Sequence, residues 1–306
     1  MPCIRCNKCL LAANNATFAS VCSVNPRYCI NDRLDYLVTP VKTKKKIAVV
    51  GGGPAGIEAA ICAYKRGHEV ILYEKSNQLG GQLKIAGIAD FKWPLKKYTD
   101  YLINEAYQTG FKIELNTEAT SNLIKKQNFD AVIVALGAKP FIPPIEGIKQ
   151  ANILFTEDAY LHEEKIGNKV VIIGGGEVGV ETALYLNGHG KETTIIEKQE
   201  MLMPQASFEH FYYLVECEWE KRDNFNILVS TEVEKISNNQ IICKKNNEKL
   251  IIDADTIILS SGYTAKIDEA FLFAGSAQQF FYIGDCKKAR SLQSAIREGF
   301  AIGSSI

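Results

Sequence analysis

KIAVVGGGPAGIEAAICAYKRGHEVILYE, residues 46–74, reads as one β-α-β unit. The apolar run 47–50 has the continuous character of a strand buried on both faces. Gly51, Gly53 and Gly56 then satisfy the G-x-G-x-x-G spacing, with Pro54 and Ala55 between the last two. These glycines supply a tight turn, bare backbone for a pyrophosphate, and close contact between helix and strand. A helix over about 57–65 aims its N-terminal amides and positive dipole end at the phosphates. A second strand, 70–73, ends in Glu74, placed to accept hydrogen bonds from a ribose diol.

The unit recurs. Residues 170–197, VVIIGGGEVGVETALYLNGHGKETTIIE, carry Gly174, Gly176 and Gly179 in the glycine positions and Glu197 at the acid. Each of the four lies 123 residues after its counterpart. The stretch 255–260, running into Gly262, likewise corresponds to 130–135, running into Gly137. The repeat therefore extends over whole domains, and two dinucleotide sites on one chain imply electron transfer between two dinucleotides.

Length and composition set the bounds. At 306 residues the chain is long enough for about two domains, each with its own core. Lysine plus arginine equals aspartate plus glutamate, 35 each, so no net field favours nucleic acid or an anionic membrane. The Lys42, Lys44, Lys45, Lys46 cluster reads as a solvated linker. No apolar stretch is long enough to span a bilayer and no signal-peptide core opens the chain, so a cytoplasmic location is expected.

Nine cysteines in such a chain favour metal binding over a disulfide framework. Cys3, Cys6 and Cys9 stand three apart in PCIRCNKCL, and Cys22 follows after twelve intervening residues. Two consecutive C-x2-C steps let one turning loop aim three thiolates at a point, which a fourth closes. Zinc and an iron–sulfur cluster both accept this set; three ligands in one loop lean toward a cubane. Cys29, seven residues past Cys22, reads as a bystander, with a substitute ligand as the alternative. Cys62, Cys217, Cys243 and Cys286 are isolated and form no dithiol pair, and His68, His162, His189 and His210 are expected at the surface or in loops.

Further along, Gly80 and Gly81 bring backbone close to a planar ligand or simply make a turn, with Gln82 after them. Residues 90–110 read as an amphipathic helix, 111–117 as a strand, and 141–147 (FIPPIEG) as a domain boundary. In the second half a helix is expected over about 208–220 and strands near 226–229 and 240–244. A strand near the C-terminus ends in Gly284 and Asp285, an aspartate suited to a ligand hydroxyl or to capping a turn. The expected organisation is a cysteine segment, 1–45, a first dinucleotide domain, 46–150 with 267–306, and a second, 151–266.

GGGPAG, the glutamate-ended strand, LGGQL, GGGEVG and IGDC together resemble the two-dinucleotide-binding flavoprotein reductases, which implies an α/β fold of two Rossmann-type domains. With CIRCNKCL and CSVNPR added, the chain resembles the C-terminal reductase portion of the old-yellow-enzyme-like iron–sulfur flavoenzymes, such as enoate reductase, dienoyl-CoA reductase and trimethylamine dehydrogenase. The resemblance implies a [4Fe–4S] cluster on Cys3, Cys6, Cys9 and Cys22. It implies FAD on Gly51, Gly53, Pro54, Ala55, Gly56, Glu74, Gly81, Gln82, Gly137, Gly284 and Asp285. It places the nicotinamide nucleotide on Gly174, Gly176, Gly179 and Glu197. An acid at Glu197 favours NADH, and neighbouring Lys198 leaves NADPH open. Ala135-Leu136-Gly137 and Ser260-Ser261-Gly262 depart from the family's usual Ala-Thr-Gly turn.

The function this implies is an electron-input module that passes hydride from NADH to FAD and single electrons to the cluster, with no obligatory protein acid or base. The family's FMN-binding barrel needs about 250 residues, so an FMN-barrel partner or domain is expected outside this sequence. A self-contained NADH oxidase or diaphorase, a fragment of a larger reductase, and a non-catalytic scaffold are the rival readings. Oligomeric state is open.

Overall fold

A computed structural model describes residues 1–10, 21–28, 38–149, 151–204, 206, 212–237 and 239–306. Their elements in chain order are β1 (Lys46–Val50), α1 (Pro54–Lys65), β2 (Glu69–Tyr73), α2 (Gln82–Ala86), α3 (Trp93–Thr109), β3 (Lys112–Glu114), α4 (Ser121–Lys126), β4 (Ala131–Val134) and β5 (Ala138–Pro140). There follow β6 (Ile153–Phe155), α5 (Thr156–Leu161), β7 (Lys169–Ile173), α6 (Glu177–Gly188), β8 (Glu192–Ile196), α7 (Tyr213–Trp219), β9 (Phe225–Leu228), β10 (Thr231–Ser237), β11 (Gln240–Lys245), β12 (Glu248–Asp253) and β13 (Thr256–Leu259). The chain closes with β14 (Tyr263–Ala265), α8 (Ile267–Phe271), β15 (Gln279–Tyr282) and α9 (Leu292–Ser305). Two compact units emerge, Met1–Lys139 with Thr264–Ile306, and Pro140–Tyr263. The N-terminal cysteines belong to the first unit.

The first unit is built on a sheet of order β15-β4-β1-β2-β3, parallel throughout. Its central strands are the unbroken Val, Ile and Ala runs that a sheet covered on both faces demands; all four residues of β4 are buried. Helix α1 starts with Pro54 in its first turn, where the missing N–H is no loss. It then buries every residue from Ala55 to Ala63. Helix α9 lies against it through Gly299 and Gly303. A Cβ at either position would overlap the carbonyl oxygen of Ala55 or Ala59, so these glycines set how closely the two helices approach.

The second unit repeats the plan with the order β6-β13-β7-β8-β9, again parallel. Strands β7, β8, β9 and β13 take the places of β1, β2, β3 and β4. The outermost neighbour of β13 is β6, which precedes the unit's fingerprint, whereas β4 is flanked by β15 from the chain's end. Where the first unit has α4 between β3 and β4, the second inserts the antiparallel sheet β10-β11-β12. Its inward residues Ile236, Ile241 and Cys243 join the core beneath one face of the parallel sheet. Strands β5 and β14 form a separate pair.

Several sequence expectations need adjusting. The strand at 111–117 contracts to β3, and the helix expected over 208–220 is seen as α7, residues 207–211 lying outside those described. Strands β9 and β11 stand where strands are expected; β10 and β12 have no counterpart in the sequence reading. β10 carries Glu232, Glu234 and Lys235, which mask its alternation, and β11 turns into β12 through Asn246 and Asn247, both at positive φ (51° and 65°), as a two-residue hairpin turn requires. His68 is buried rather than on the surface: Nδ1 accepts from the Lys45 amide at 3.1 Å, and burial pushes its pKa down. His210 and Cys29 lie outside the described residues. Lys46 is not a free linker cation either, since its ammonium donates to the Gln127 carbonyl at 2.9 Å and lies 4.7 Å from the Phe129 ring centre. Among the described residues no helix is long and apolar enough to cross a membrane.

Candidate dinucleotide sites and the cysteine segment

The first fingerprint folds as its spacing demands. Gly51 ends β1 at φ +110°, and a Cβ there would overlap the Ala135 carbonyl oxygen, so β1 and β4 close on each other only around a glycine. Gly56, on the first turn of α1, faces the Gly51 carbonyl just as tightly. Gly53 differs: nothing lies within 4 Å of where its Cβ would be, and its φ of −78° suits any residue. Its lack of a side chain is therefore not a packing requirement, and it leaves an open face of bare backbone at the N-terminus of α1.

Glu74 closes the site. One carboxylate oxygen accepts from the Gly52 amide at 2.7 Å and the other from the Ser76 amide at 2.8 Å. Two main-chain donors fix the side chain without neutralising it, and each oxygen keeps lone-pair capacity for a ribose hydroxyl. Gly80 donates to the Gly52 carbonyl at 2.8 Å, and a Cβ on Gly81 would stand 3.1 Å from the Gly53 Cα. The LGGQL turn thus lies along the fingerprint; Gln82 opens α2, exposed. Gly284 packs its bare backbone beside the Ala55 methyl, its amide donating to Glu298 at 2.8 Å. Glu298 is also paired with Arg290, whose amide donates to Asp285 at 3.1 Å. Burial raises the Asp285 pKa above the usual aspartate value. Gly51, Gly53, Ala55, Gly56, Glu74, Gly81 and Gly284 are therefore gathered around one helix N-terminus. Gly137, at φ +72°, has open space around it.

The second unit copies this geometry almost atom for atom. Gly174 lies at φ +111° against the Ser260 carbonyl, Gly179 faces the Gly174 carbonyl, and Gly176 is open. Glu197 accepts from the Gly175 amide at 2.6 Å and from the Gln199 amide at 2.8 Å. The 123-residue offset continues past the acid: Leu202 packs beneath Gly175 as Leu79 does beneath Gly52, and Met203 donates to the Gly175 carbonyl at 2.8 Å as Gly80 does to Gly52. Sequence reasoning stops at the two acids; carrying the offset further would have exposed this second layer. The units diverge here too, since Met203, buried at φ +46°, stands where the first unit has a glycine.

A buried acid also escaped the sequence reading. Glu58 lies on α1 two residues past Gly56, and burial pushes its pKa from 4.5 up to about 7, against the lowering pull of the Cys62 thiol, Lys65 and Arg27. Near it the Tyr98 hydroxyl is buried with no hydrogen-bond partner among the described residues. The i, i+4 relation of Glu58 and Cys62 on an otherwise apolar helix was the available signal.

The cysteine segment is anchored to the first unit. Arg5 and Asn7, at φ of 57° and 55°, turn the chain between the C-x2-C steps, and the Arg5 amide donates to Cys3 Sγ at 3.3 Å. The Arg5 guanidinium lies 4.6 Å from the Trp93 ring centre. Cys6 Sγ stands 3.1 Å from Ser23 Oγ, which brings the loop of the first three cysteines beside the residue after Cys22, while Ile4 and Cys22 pack on the unit's core. Cys3, Cys6, Cys9 and Cys22 are free thiols, a donor set that suits zinc or iron. Among the described residues, however, no three His, Cys, Asp or Glu side chains stand close enough together to hold a metal ion. Cys62, Cys243 and Cys286 are buried and Cys217 half-buried, all unbridged.

The sequence pattern of the pyridine nucleotide-disulphide oxidoreductases matches residues 45–303. The chain is 34% identical over 307 residues to the bilirubin reductase of Mediterraneibacter gnavus, covering 97% of this chain and 46% of that one. It is 32% identical to the cinnamate reductase of Clostridium sporogenes, covering 100% and 45%. Among solved structures it superposes on a 2-naphthoyl-CoA reductase bound to 2-naphthoyl-CoA with a TM-score of 0.91 at 30% identity, over 98% of this chain and 46% of the other. The chain spans about half the length of the curated relatives it matches.

Proposed function

The chain belongs to the pyridine nucleotide-disulphide oxidoreductase family, and we propose that it is the electron-input portion of an enoate-reductase-like enzyme, oxidising NADH and passing the electrons through FAD to a [4Fe–4S] cluster and on to an FMN barrel. The family membership brings FAD and NAD(P)H as cofactors. Its relatives being twice as long supports a further domain or partner that carries the substrate chemistry.

One observation carries the reading: the same chain holds two glycine fingerprints, each ending in a carboxylate locked by two backbone amides. FAD, when bound, supplies a two-electron acceptor that also releases single electrons. The protein's part is to bind and orient. Gly53 in one unit, and Gly176 in the other, would keep side chains away from the pyrophosphate, which the N-termini of α1 and α6 would face, while Gly51 and Gly174 let the flanking strands close beside it. Glu74 and Glu197 would accept from the ribose diols, and an acid at Glu197 would favour NADH over a 2′-phosphorylated nucleotide. Gly81 and Gly284 hold backbone along the flavin-side loop, and Asp285 stands at the break before α9. Cys3, Cys6, Cys9 and Cys22 would hold the cluster; the free thiols and the N–H···S contact at Cys3 support that role.

The test is an anaerobic visible spectrum of the purified protein before and after stoichiometric NADH. Flavin bands over a broad iron–sulfur absorption, both bleached by NADH, are expected. Flavin bleaching with no iron–sulfur absorption would reduce the reading to a simple NADH–flavin oxidoreductase. A colourless protein indifferent to NADH would overturn it.

A further inference from the structure

The residue after the second ribose acid is a lysine, and Lys198 would seem free to receive a 2′-phosphate and so admit NADPH. The structure places it elsewhere. Its ammonium lies 2.6 Å from Glu232 Oε1. Glu232 is the second residue of β10, and main-chain bonds fix where that strand starts: the Glu197 amide donates to the Leu228 carbonyl at 2.9 Å, and the Thr231 amide donates to the Glu197 carbonyl at 3.0 Å. The acid that reads the ribose and the acid that holds the lysine are thus joined through one backbone hydrogen bond. Glu232 also faces Lys244 across the β10–β11 ladder. The hydrogen bond and charge of Lys198, with Lys244 adding a smaller pull, keep the Glu232 carboxyl below its usual pKa, so it is ionised at neutral pH.

Resting on the reading of the second fingerprint as the nicotinamide-nucleotide site, we propose that Glu232 is a specificity-determining residue: it retains the Lys198 ammonium, leaving Glu197 alone to meet the ribose 2′ position and disfavouring the 2′-phosphorylated nucleotide. Glu232 touches neither substrate nor cofactor in this scheme; it acts through Lys198. The pair is solvent-exposed, with side chains 72% and 54% accessible, so the effect is a modest, salt-sensitive one. Releasing an exposed ammonium to a phosphate is worth about two- to fivefold in affinity.

The experiment uses the purified holoprotein and titrates NAD+ and NADP+ into the wild type, Glu232→Gln, Glu232→Gln/Lys198→Gln and Glu232→Gln/Lys244→Gln, reading Kd from flavin absorbance or fluorescence, with kcat/KM for NADH and NADPH alongside. Glu232→Gln is expected to shift the NADP+ to NAD+ affinity ratio toward NADP+ by about two- to fivefold, more at low salt. Adding Lys198→Gln should abolish the shift, and adding Lys244→Gln should leave it in place. A ratio unmoved by Glu232→Gln overturns the proposal while NAD+ binding persists. So does a shift that survives Lys198→Gln or disappears with Lys244→Gln. Failure of the wild type to bind either nucleotide sinks the nucleotide-site reading itself, and the proposal with it.

Discussion

Glu58 offers a quantitative test because its charge has no comfortable place. The residue sits on the helix that the first fingerprint opens, and burial lifts its pKa from 4.5 to about 7. A raised acid pKa means that the folded state holds a proton which the unfolded state has already released. This stability is fully present below about pH 4.5 and is lost as pH rises through about 7. The full displacement of about 2.5 pH units corresponds to ~3 kcal/mol at 1.36 kcal/mol per unit. Between about pH 5 and about pH 8 the single group should remove ~2.5 kcal/mol. Glu58→Gln keeps the shape and can still accept from the Cys62 thiol, now 3.7 Å from the Glu58 Oε1, but it never ionises. Urea unfolding of both proteins at the two pH values should show them close at the lower pH and the variant more stable at the higher one, by ~2–3 kcal/mol. A wild type and variant with parallel pH profiles would refute the argument, because it would mean that Glu58 ionises in the fold at no cost. A variant less stable at about pH 8 would show instead that the carboxylate is held by a cation, with Arg27 or Lys65 the candidates that already pull its pKa down.

The glycines separate binding from packing: Gly53→Ala should fold with wild-type Tm yet lose FAD on gel filtration, since the new methyl meets no protein atom, whereas Gly56→Ala should cost ~1–3 kcal/mol in unfolding because its methyl overlaps the Gly51 carbonyl. Unaltered flavin content in Gly53→Ala would contradict the site. In the second unit, Gly176→Ala should weaken NADH binding at least tenfold while leaving the flavin spectrum intact, measured by stopped-flow flavin reduction across NADH concentrations. Cys22→Ser should lower the iron content of anaerobically purified protein and leave the NADH-reducible flavin in place; iron unchanged in Cys22→Ser would remove Cys22 from the ligand set.

Much of the fold was legible because a fingerprint fixes more than a helix. A buried strand, three glycines at set spacing and an acid at the next strand's end specify a parallel β-α-β unit, and the 123-residue offset specifies it twice. The antiparallel sheet was harder to read because β10 keeps its alternation only in side-chain direction: Glu232, Glu234 and Lys235 put charge where a pattern search expects apolar residues. The amide locks on Glu74 and Glu197 were illegible for a different reason. The donors are main-chain groups of Gly52, Ser76, Gly175 and Gln199, and any residue but proline can donate in that way. Glu58 was concealed by its surroundings, since a lone acid on a helix reads as a solvated face until α3 and α9 are known to cover it. The cysteine spacing was readable as ligand chemistry, but spacing does not fix where thiols point: Cys3, Cys6, Cys9 and Cys22 are all described, and no three of them stand close enough together to hold a metal ion.

The two units share the fingerprint, the acid and the leucine beneath it, then differ in the next two residues, and the difference bears on which nucleotide each takes. In the first, Gly80 and Gly81 continue the bare backbone from the fingerprint into the next turn, with Gly81 near enough to Gly53 that even a methyl would stand 3.1 Å from its Cα. In the second, the corresponding positions are Met203 and Pro204, and the Met203 side chain is buried within the unit's own core. A site lined by backbone on two loops can enclose a long ligand and keep it; a site with one bare loop and one filled loop grips the pyrophosphate and ribose and leaves the rest to exchange. That contrast supports FAD in the first unit and a reversibly bound nicotinamide nucleotide in the second. It adds, beside the inserted sheet β10-β11-β12 and the different flanking strand, a local asymmetry of two residues at the fingerprint itself. Substituting Met203 by glycine tests this directly: the variant should gain backbone freedom at a strained φ but lose core packing, a net loss of ~1–3 kcal/mol, and its nucleotide should dissociate more slowly if the filled loop is what keeps the second site open to exchange. Unchanged or faster nucleotide release in a folded Met203→Gly protein would place the cause of the asymmetry elsewhere.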